Sequence, residues 1–326
     1  MTSRTNRSSA DLWVVTVFYN RLGNKYRRGN YDTFRRRLNA PLVTVELAYD
    51  DQEFQLNDSD ADILIQLRTT HVLWQTERLF NHAFAAVPNN CQKIAWIDCD
   101  FVFLQDDWPD SASELLDRFA LVQLYEYLID QQQNGDSRPL NSSDTTANSI
   151  ASLLAKGEPI TDLLRMNASP ITGRNKGVGG GAWAARRDLL DKHGIYDACL
   201  LAGNDRAVVA AALGRFDITI SNWLMNQRTA EHYLEWALPF YETVQGEIGF
   251  APGTALHLWH GDPAHRAVKI RRYDGLVEFN FDPVHDIAID DNGCWRWNSN
   301  KPDLHNYVHT FLTQREHFET LSTDGG

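Results

Sequence analysis

The chain has 326 residues, 43% of them hydrophobic and 23% charged, with a formal net charge of -12. That length and apolar content suffice for a sizeable core, arranged as one large α/β unit or two unequal lobes, and exclude a disordered or fibrous chain. The acidic balance argues against a general nucleic-acid binder, although Arg27-Arg28, Arg35 to Arg37 and Lys269 to Arg272 can face either phosphate or plain solvent.

No run approaches the roughly 18 to 20 apolar residues of a membrane span, and Met1 to Trp13 lacks the apolar centre of a signal peptide. A soluble, cytoplasmic protein without a transmembrane segment is the expectation. Cys91, Cys99, Cys199 and Cys294 have neither metal-finger spacing nor the density of a disulfide scaffold, so reduced thiols are expected.

Leu12 to Asn20 is a continuous apolar run, the charged stretch Tyr26 to Leu38 follows, and Leu42 to Ala48 is apolar again: strand, helix, strand. Ile63 to Leu67 predicts a third strand and Thr70 to Val87 an amphipathic helix with Leu73, Trp74, Glu77, Leu79, Phe80 and Phe84. Lys93 to Ile97 predicts another strand. A helix is then expected to start at "DSASELL" with a capping box of Ser111 and Glu114, before a strand in Phe119 to Leu124. This order predicts an α/β fold with a mostly parallel central sheet flanked by helices. From about Gln131 to Pro170 the chain turns polar, as an insertion or lid with a short apolar patch at Ile150. "GVGGGAWAARRDLL" then sets glycines against a strand and a helix, and "GNDRAVVAAALG" opens another helix. "HLWHG", "DNGCWRWN" and a helical segment at Leu304 to Phe318 read as a C-terminal appendage packed on the sheet.

Asp98 and Asp100 stand where the Lys93 to Ile97 run ends, and ligands of parallel sheets bind outside the carboxyl ends of strands. Asp-x-Asp spacing alone decides nothing, because Asp58-Ser-Asp60 and Asp60-Ala-Asp62 share it. Strand alternation would put both carboxylates on one side, and oxygen ligands at an open site suit Mg²⁺ or Mn²⁺.

Together "VVTVFYN", "LWQTERLFN", "WIDCD", "GVGGGAWAARRDLL", "GNDRA" and "HLWHG" resemble the GT-A family of nucleotide-sugar glycosyltransferases over most of the chain. The resemblance implies one GT-A domain over residues 1–326. Its nucleotide-binding part would span about 11–125, the lid 131–170, and the acceptor and metal-histidine part 171–326. It implies transfer of a sugar from a nucleoside-diphosphate sugar, a UDP-sugar before a GDP-sugar, to a hydroxyl of a glycan or similar acceptor. Mn²⁺ or Mg²⁺ would be held by Asp98, Asp100 and His260, with His257 as second choice.

Phe18, Tyr19, Asn20 and Glu46 would then hold the nucleoside, with Gln75 and Arg78 assisting unless they are ordinary surface polar residues. Arg266 and Lys269 would hold the diphosphate. Gly179, Gly180 and Gly181 would admit the donor sugar closely, or merely form a tight turn. Trp183 is either a sugar platform or core. Asp205 would bind the acceptor and serve as general base if the reaction inverts configuration, or it is a helix N-cap. On an extended segment His257 and His260 face opposite sides, so only one is expected to join the aspartates. A metal-dependent nucleotidyltransferase and a noncatalytic carbohydrate-binding protein remain as alternatives. The first ordinarily has a more glycine-rich loop after the first strand than "FYNRLGNKYRRGN", and the second rests only on the ten tryptophans.

Overall fold

A computed structural model describes residues 11–132, 146–164, 177–261 and 273–321, the side chains of 317–321 excepted. Arg266, Lys269 and residues 133–145 and 165–170 of the polar insertion lie outside the described residues.

The first strand, β1 (Leu12–Tyr19), is followed by α1 (Lys25–Arg37), β2 (Leu42–Tyr49), β3 (Ile63–Thr69), α2 (Thr76–Ala86) and β4 (Lys93–Ile97). Then come β5 (Phe101–Phe103), α3 (Trp108–Leu116), β6 (Leu121–Gln123), β7 (Tyr127–Asp130), β8 (Thr146–Asn148), α4 (Ile150–Ala155) and α5 (Ile160–Leu164). Next are β9 (Ala182–Arg186), α6 (Arg187–His193), α7 (Asn204–Ala212), α8 (Phe216–Asn222), α9 (Gln227–Val244), β10 (Ile248–Phe250) and β11 (Thr254–His257). The chain closes with α10 (Asp274–Glu278), α11 (Pro283–Asp286), β12 (Ile287–Ile289), β13 (Trp295–Trp297) and α12 (Pro302–Leu321).

Seven strands form the central sheet in the order β10-β6-β9-β4-β1-β2-β3. β1 to β4 run parallel, and β9 is antiparallel to both β4 and β6. The expected α/β architecture is therefore present, with one reversed strand inside it. Alternation along β1 divides the core into two faces. Val15 and Val17 pack with Phe80, Phe84 and Trp96 on one side, while Leu12, Val14 and Phe18 pack with Tyr31 and Phe34 of α1 on the other. Each such buried side chain contributes roughly 1.5–3 kcal/mol of hydrophobic free energy.

From β1 the chain moves outward to β2 and β3, then crosses back to place β4 on β1's other side. The strand order reverses between β1 and β4, and this reversal opens a crevice at their carboxyl ends. A second sheet, β5-β11-β7-β8, stands beside that crevice. The run Phe101 to Leu104 thus leaves the central sheet, and the C-terminal third supplies β10 to one sheet and β11 to the other as well as packing outside them. No helix among the described residues is long and apolar enough to cross a membrane.

Two helix starts differ from expectation. α2 begins at Thr76, because Thr70 to Gln75 form a loop that buries Leu73 and Gln75. α3 begins at Trp108 with Pro109 in its first turn, which places Ser111 and Glu114 inside the helix and removes the capping box. Proline's fixed φ suits the first turn, and its missing N–H costs nothing there, so it moves the start upstream.

Candidate functional site

At the crevice lies a cavity of about 300 Å³, lined from β1, α2, β4, α7, the end of β11 and α12. Asp98 and Asp100 both reach it, but through a turn rather than strand alternation. The Asp98 N–H donates to the Gly181 carbonyl at 2.8 Å, the Phe101 N–H donates to the Asp98 carbonyl at 3.0 Å, and the Leu258 N–H donates to the Asp100 carbonyl at 2.8 Å. These bonds tie the turn to the glycine strip on one side and the end of β11 on the other.

Strand register then brings the histidines in. β11 lies between β5 and β7, so His257 pairs with Phe101, next to Asp100, and with Asp130. Its Nε2 is 3.8 Å from Asp100 Oδ1, and its Nδ1 is 2.9 Å from Asp130 Oδ1. His260 Nε2 stands 3.4 Å from Asp100 Oδ2 and 3.2 Å from His257 Nε2. The expectation that only one histidine joins is corrected: the strand ends at His257, and the following residues turn instead of alternating. Asn24 and Asn30 of the α1 segment donate to the carbonyls of His260 and Trp259, and Gly261 bends the chain at φ +143.

One ligand atom each from Asp100, His257 and His260 lies within 4.8 Å of the others. Metal–ligand bonds of roughly 2.1 Å put neighbouring ligand atoms about 3 to 3.5 Å apart, so the set fits a single divalent ion with little adjustment. Two imidazoles suit Mn²⁺ better than Mg²⁺. Asp130 on Nδ1 fixes the His257 tautomer that leaves Nε2 as the ligand atom. Asp98 stands outside this group of three, on the same cavity wall. Burial, with the charges of Asp100 and Asp205, raises its pKa well above the usual carboxylate range, and Arg27 pulls the other way. A wall that penalises its own carboxylates gains from a bound cation.

Asp205 lines the cavity as the second residue of α7, while Gly203 occupies the cap position at φ +99. Asp205 is therefore not the N-cap. Its carboxylate fits against the glycine strip, for a Cβ on Gly180 would stand 2.8 Å from Asp205 Oδ2. Gly181 lines the cavity at φ +95, where a Cβ would collide with the Phe101 ring. Gly179 accepts the Trp183 indole N–H at 2.6 Å and Gly180 the Tyr125 hydroxyl at 2.6 Å. Trp183 is a buried core residue whose ring forms part of the cavity floor.

The remaining nucleoside candidates divide. Tyr19 lines the cavity, its hydroxyl 3.0 Å from Thr76 Oγ1, and burial pushes its pKa up to about 12. Phe18 faces the other side of the sheet against Tyr31, at 5.5 Å between ring centroids. Asn20 instead caps the loop before α1, accepting the Asn24 N–H at 2.7 Å. Glu46 is buried, accepting the Gln55 and Leu56 N–H groups and the Gln66 amide. Gln75 bonds both the N–H and the carbonyl of Trp295, and Arg78 pairs with Asp197 at 2.9 Å. Both clamp the β12–β13 hairpin onto α2.

Several cavity residues were not anticipated as site residues: Trp74, Glu77 and Arg315 on the wall, and Asp130 behind it; Arg27, expected only to face either phosphate or solvent, lines the wall as well. Glu77 Oε2 accepts the Trp74 indole N–H at 2.5 Å and the Cys199 thiol at 3.4 Å. Burial, and next the charge of Asp205, push its pKa up to about 8, so it is mostly a neutral acid at pH 7. The signal was available, because Glu77 shares the apolar stripe of Phe80 and Phe84 at helical spacing.

No protein-family model and no curated protein sequence matches the chain. Among solved structures it is similar to glucosyl-3-phosphoglycerate synthase from Mycobacterium tuberculosis, in complex with Mn²⁺, UDP and phosphoglyceric acid. That match has 13% identity and a TM-score of 0.36, over 76% of this chain and 70% of the other. A mannosyltransferase from Pyrobaculum calidifontis with GDP-Man and Mn²⁺ matches at 12% identity and TM-score 0.37, over 96% and 72%. A mutant Drosophila β1,4-galactosyltransferase 7 with manganese, UDP-Gal and xylobiose matches at 10% identity and TM-score 0.40, over 90% and 98%. These likenesses are partial, and the chemistry that follows rests on the cavity itself.

Proposed function

We propose that the protein is a metal-dependent glycosyltransferase that moves a sugar from a nucleoside-diphosphate sugar, a UDP-sugar first and a GDP-sugar second, to a hydroxyl of a glycan or similar acceptor. The observation that carries this reading is the convergence in one cavity, at the strand-order reversal, of Asp98, Asp100, His257, His260 and Asp205. Asp100, His257 and His260 would hold Mn²⁺, with Mg²⁺ as the poorer fit to two imidazoles, and Asp98 would contribute from the adjoining wall. The ion, when bound, neutralises charge on the departing diphosphate.

The chain's own residues do the rest. Asp205, held against the glycine strip at the start of α7, would accept the proton of an acceptor hydroxyl if the reaction inverts configuration. Glu77, neutral at pH 7, offers an O–H donor to a sugar hydroxyl in the same cavity. The rings of Tyr19 and Trp74 give an apolar wall that excludes water and orients a planar or pyranose ligand.

Thermal-shift titration with UDP and GDP tests the reading. A nucleoside diphosphate should raise Tm only with Mn²⁺ or Mg²⁺, because binding to the folded state alone stabilises it. Asp100→Asn should lose the shift, and Asp58→Asn, in the look-alike motif, should keep it. Equal stabilisation in EDTA would remove the metal, and no shift with any nucleotide or nucleotide sugar would remove the donor.

A further inference from the structure

Arg315, on α12, reaches the cavity from the far end of the sequence. Its guanidinium lies 4.9 Å from the centroid of the Trp74 ring, and the Trp74 indole is itself fixed by Glu77. The helix that carries it is tied down on either side of this position. Arg21 pairs with Glu316 at 3.0 Å and donates to Thr313 Oγ1 at 3.0 Å. Among the described residues Arg315 makes no ion pair, whereas the neighbouring cations Arg21 and Arg78 are each matched by a carboxylate.

Arg27, which also lines the cavity, lies 5.9 Å from the Tyr19 ring centroid. Both guanidinium groups act on the Tyr19 hydroxyl, each lowering its pKa against the burial that raises it. Both guanidinium groups line the same cavity, where Arg27 also attracts the Asp98 carboxylate, and an anion seated near Tyr19 is attracted by both. A guanidinium stacked on an indole keeps its N–H edge available and loses little further rotamer freedom when it binds, and that edge matches phosphate oxygens.

We propose that Arg315 binds a phosphate of the donor nucleotide, with Arg27 lining the same cavity, so that α12 completes the donor site with the Trp74 ring as the arginine's platform. This rests on the nucleotide-sugar reading above. It makes α12 part of the ligand site rather than packing alone. Arg21, Glu316 and Trp74 become positioning residues that act through Arg315.

Isothermal titration of UDP and GDP in Mn²⁺, with uridine and guanosine followed by ligand-observed NMR, tests it on the full chain. Arg315→Ala should weaken the diphosphate at least about tenfold, as loss of one charge-assisted pair does, and leave the nucleoside unchanged. Arg315→Lys should recover part of the loss, and the salt dependence of diphosphate binding should become shallower in Arg315→Ala. If wild type binds a diphosphate and Arg315→Ala binds it equally well, the inference falls while the donor reading stands. Equal weakening of nucleoside and diphosphate would also overturn it, since Arg315 would then only shape the wall. If wild type binds neither diphosphate with Mn²⁺, the donor reading itself fails and takes the inference with it.

Discussion

Glu77→Gln replaces the buried carboxyl by a neutral group of the same size that still accepts the Trp74 N–H. In the folded protein burial and the Asp205 charge push Glu77 up to about 8, whereas an unfolded glutamate titrates near ~4.3. Between those two values the folded state keeps a proton that the unfolded chain has released. The folded state therefore binds more protons, and its stability falls as pH rises through the window, by about 1.4 kcal/mol per pH unit. Glutamine does not titrate and escapes this loss. From about pH 5.5 to about pH 7.5 the variant should therefore gain on the order of 2 to 3 kcal/mol on the wild type. Above about pH 8 the gap should level off. Urea unfolding of both proteins across this range, in EDTA so that no cation offsets the charge, measures it. A gap independent of pH, or one that widens toward acid, would refute the placement of Glu77 as a buried acid beside Asp205.

Asp130→Ala should weaken Mn²⁺ affinity about 10- to 100-fold by releasing the His257 ring, with the fold retained, as direct metal titration can show. His257→Ala and His260→Ala should each impair Mn²⁺ binding, and a defect in only one would return the other to a structural role. Asp205→Asn should keep metal-dependent nucleotide binding yet lose about 10² to 10⁴ in transfer rate, read by release of nucleoside diphosphate with acceptor present. Gly181→Ala should cost about 3 kcal/mol in chemical denaturation, because it combines an unfavourable positive φ with a methyl group driven into the Phe101 ring.

The central sheet was legible because its strands are long apolar runs, and Asp98 and Asp100 were legible because a strand's carboxyl end is a position that the sequence itself marks. What escaped was whatever depends on where chain direction changes. The strand rule for i and i+2 reached the right conclusion for Asp98 and Asp100, although a turn, anchored by Gly181 and Leu258, does the work. The same rule misplaced His257 and His260, because β11 ends at His257 and the alternation stops with it. Phe18 and Tyr19 show the rule at its best. They are neighbours on one strand, and the pleat sends Phe18 to the α1 side and Tyr19 to the cavity, so assigning both to a nucleoside conflicted with the periodicity that predicted the strand.

Charge misled in a related way. Glu46, Gln75 and Arg78 were natural candidates as polar residues near a predicted ligand site, but each satisfies backbone or side-chain groups of the protein itself. An unpaired polar group costs too much to leave buried, and a folded chain spends most of its internal polar groups on one another. The residues that remain for a ligand are Asp98, which burial beside Asp100 and Asp205 pushes toward protonation, and Arg315, which makes no ion pair among the described residues. Neither placement is visible in linear order, since Asp205 and Arg315 come from helices far along the chain. Both follow from one topological fact, that β1 and β4 end side by side where the sheet reverses its order. The carboxylates lining the resulting cavity favour a cation and its guanidinium groups an anion, and a metal-bound diphosphate presents both charges in one ligand.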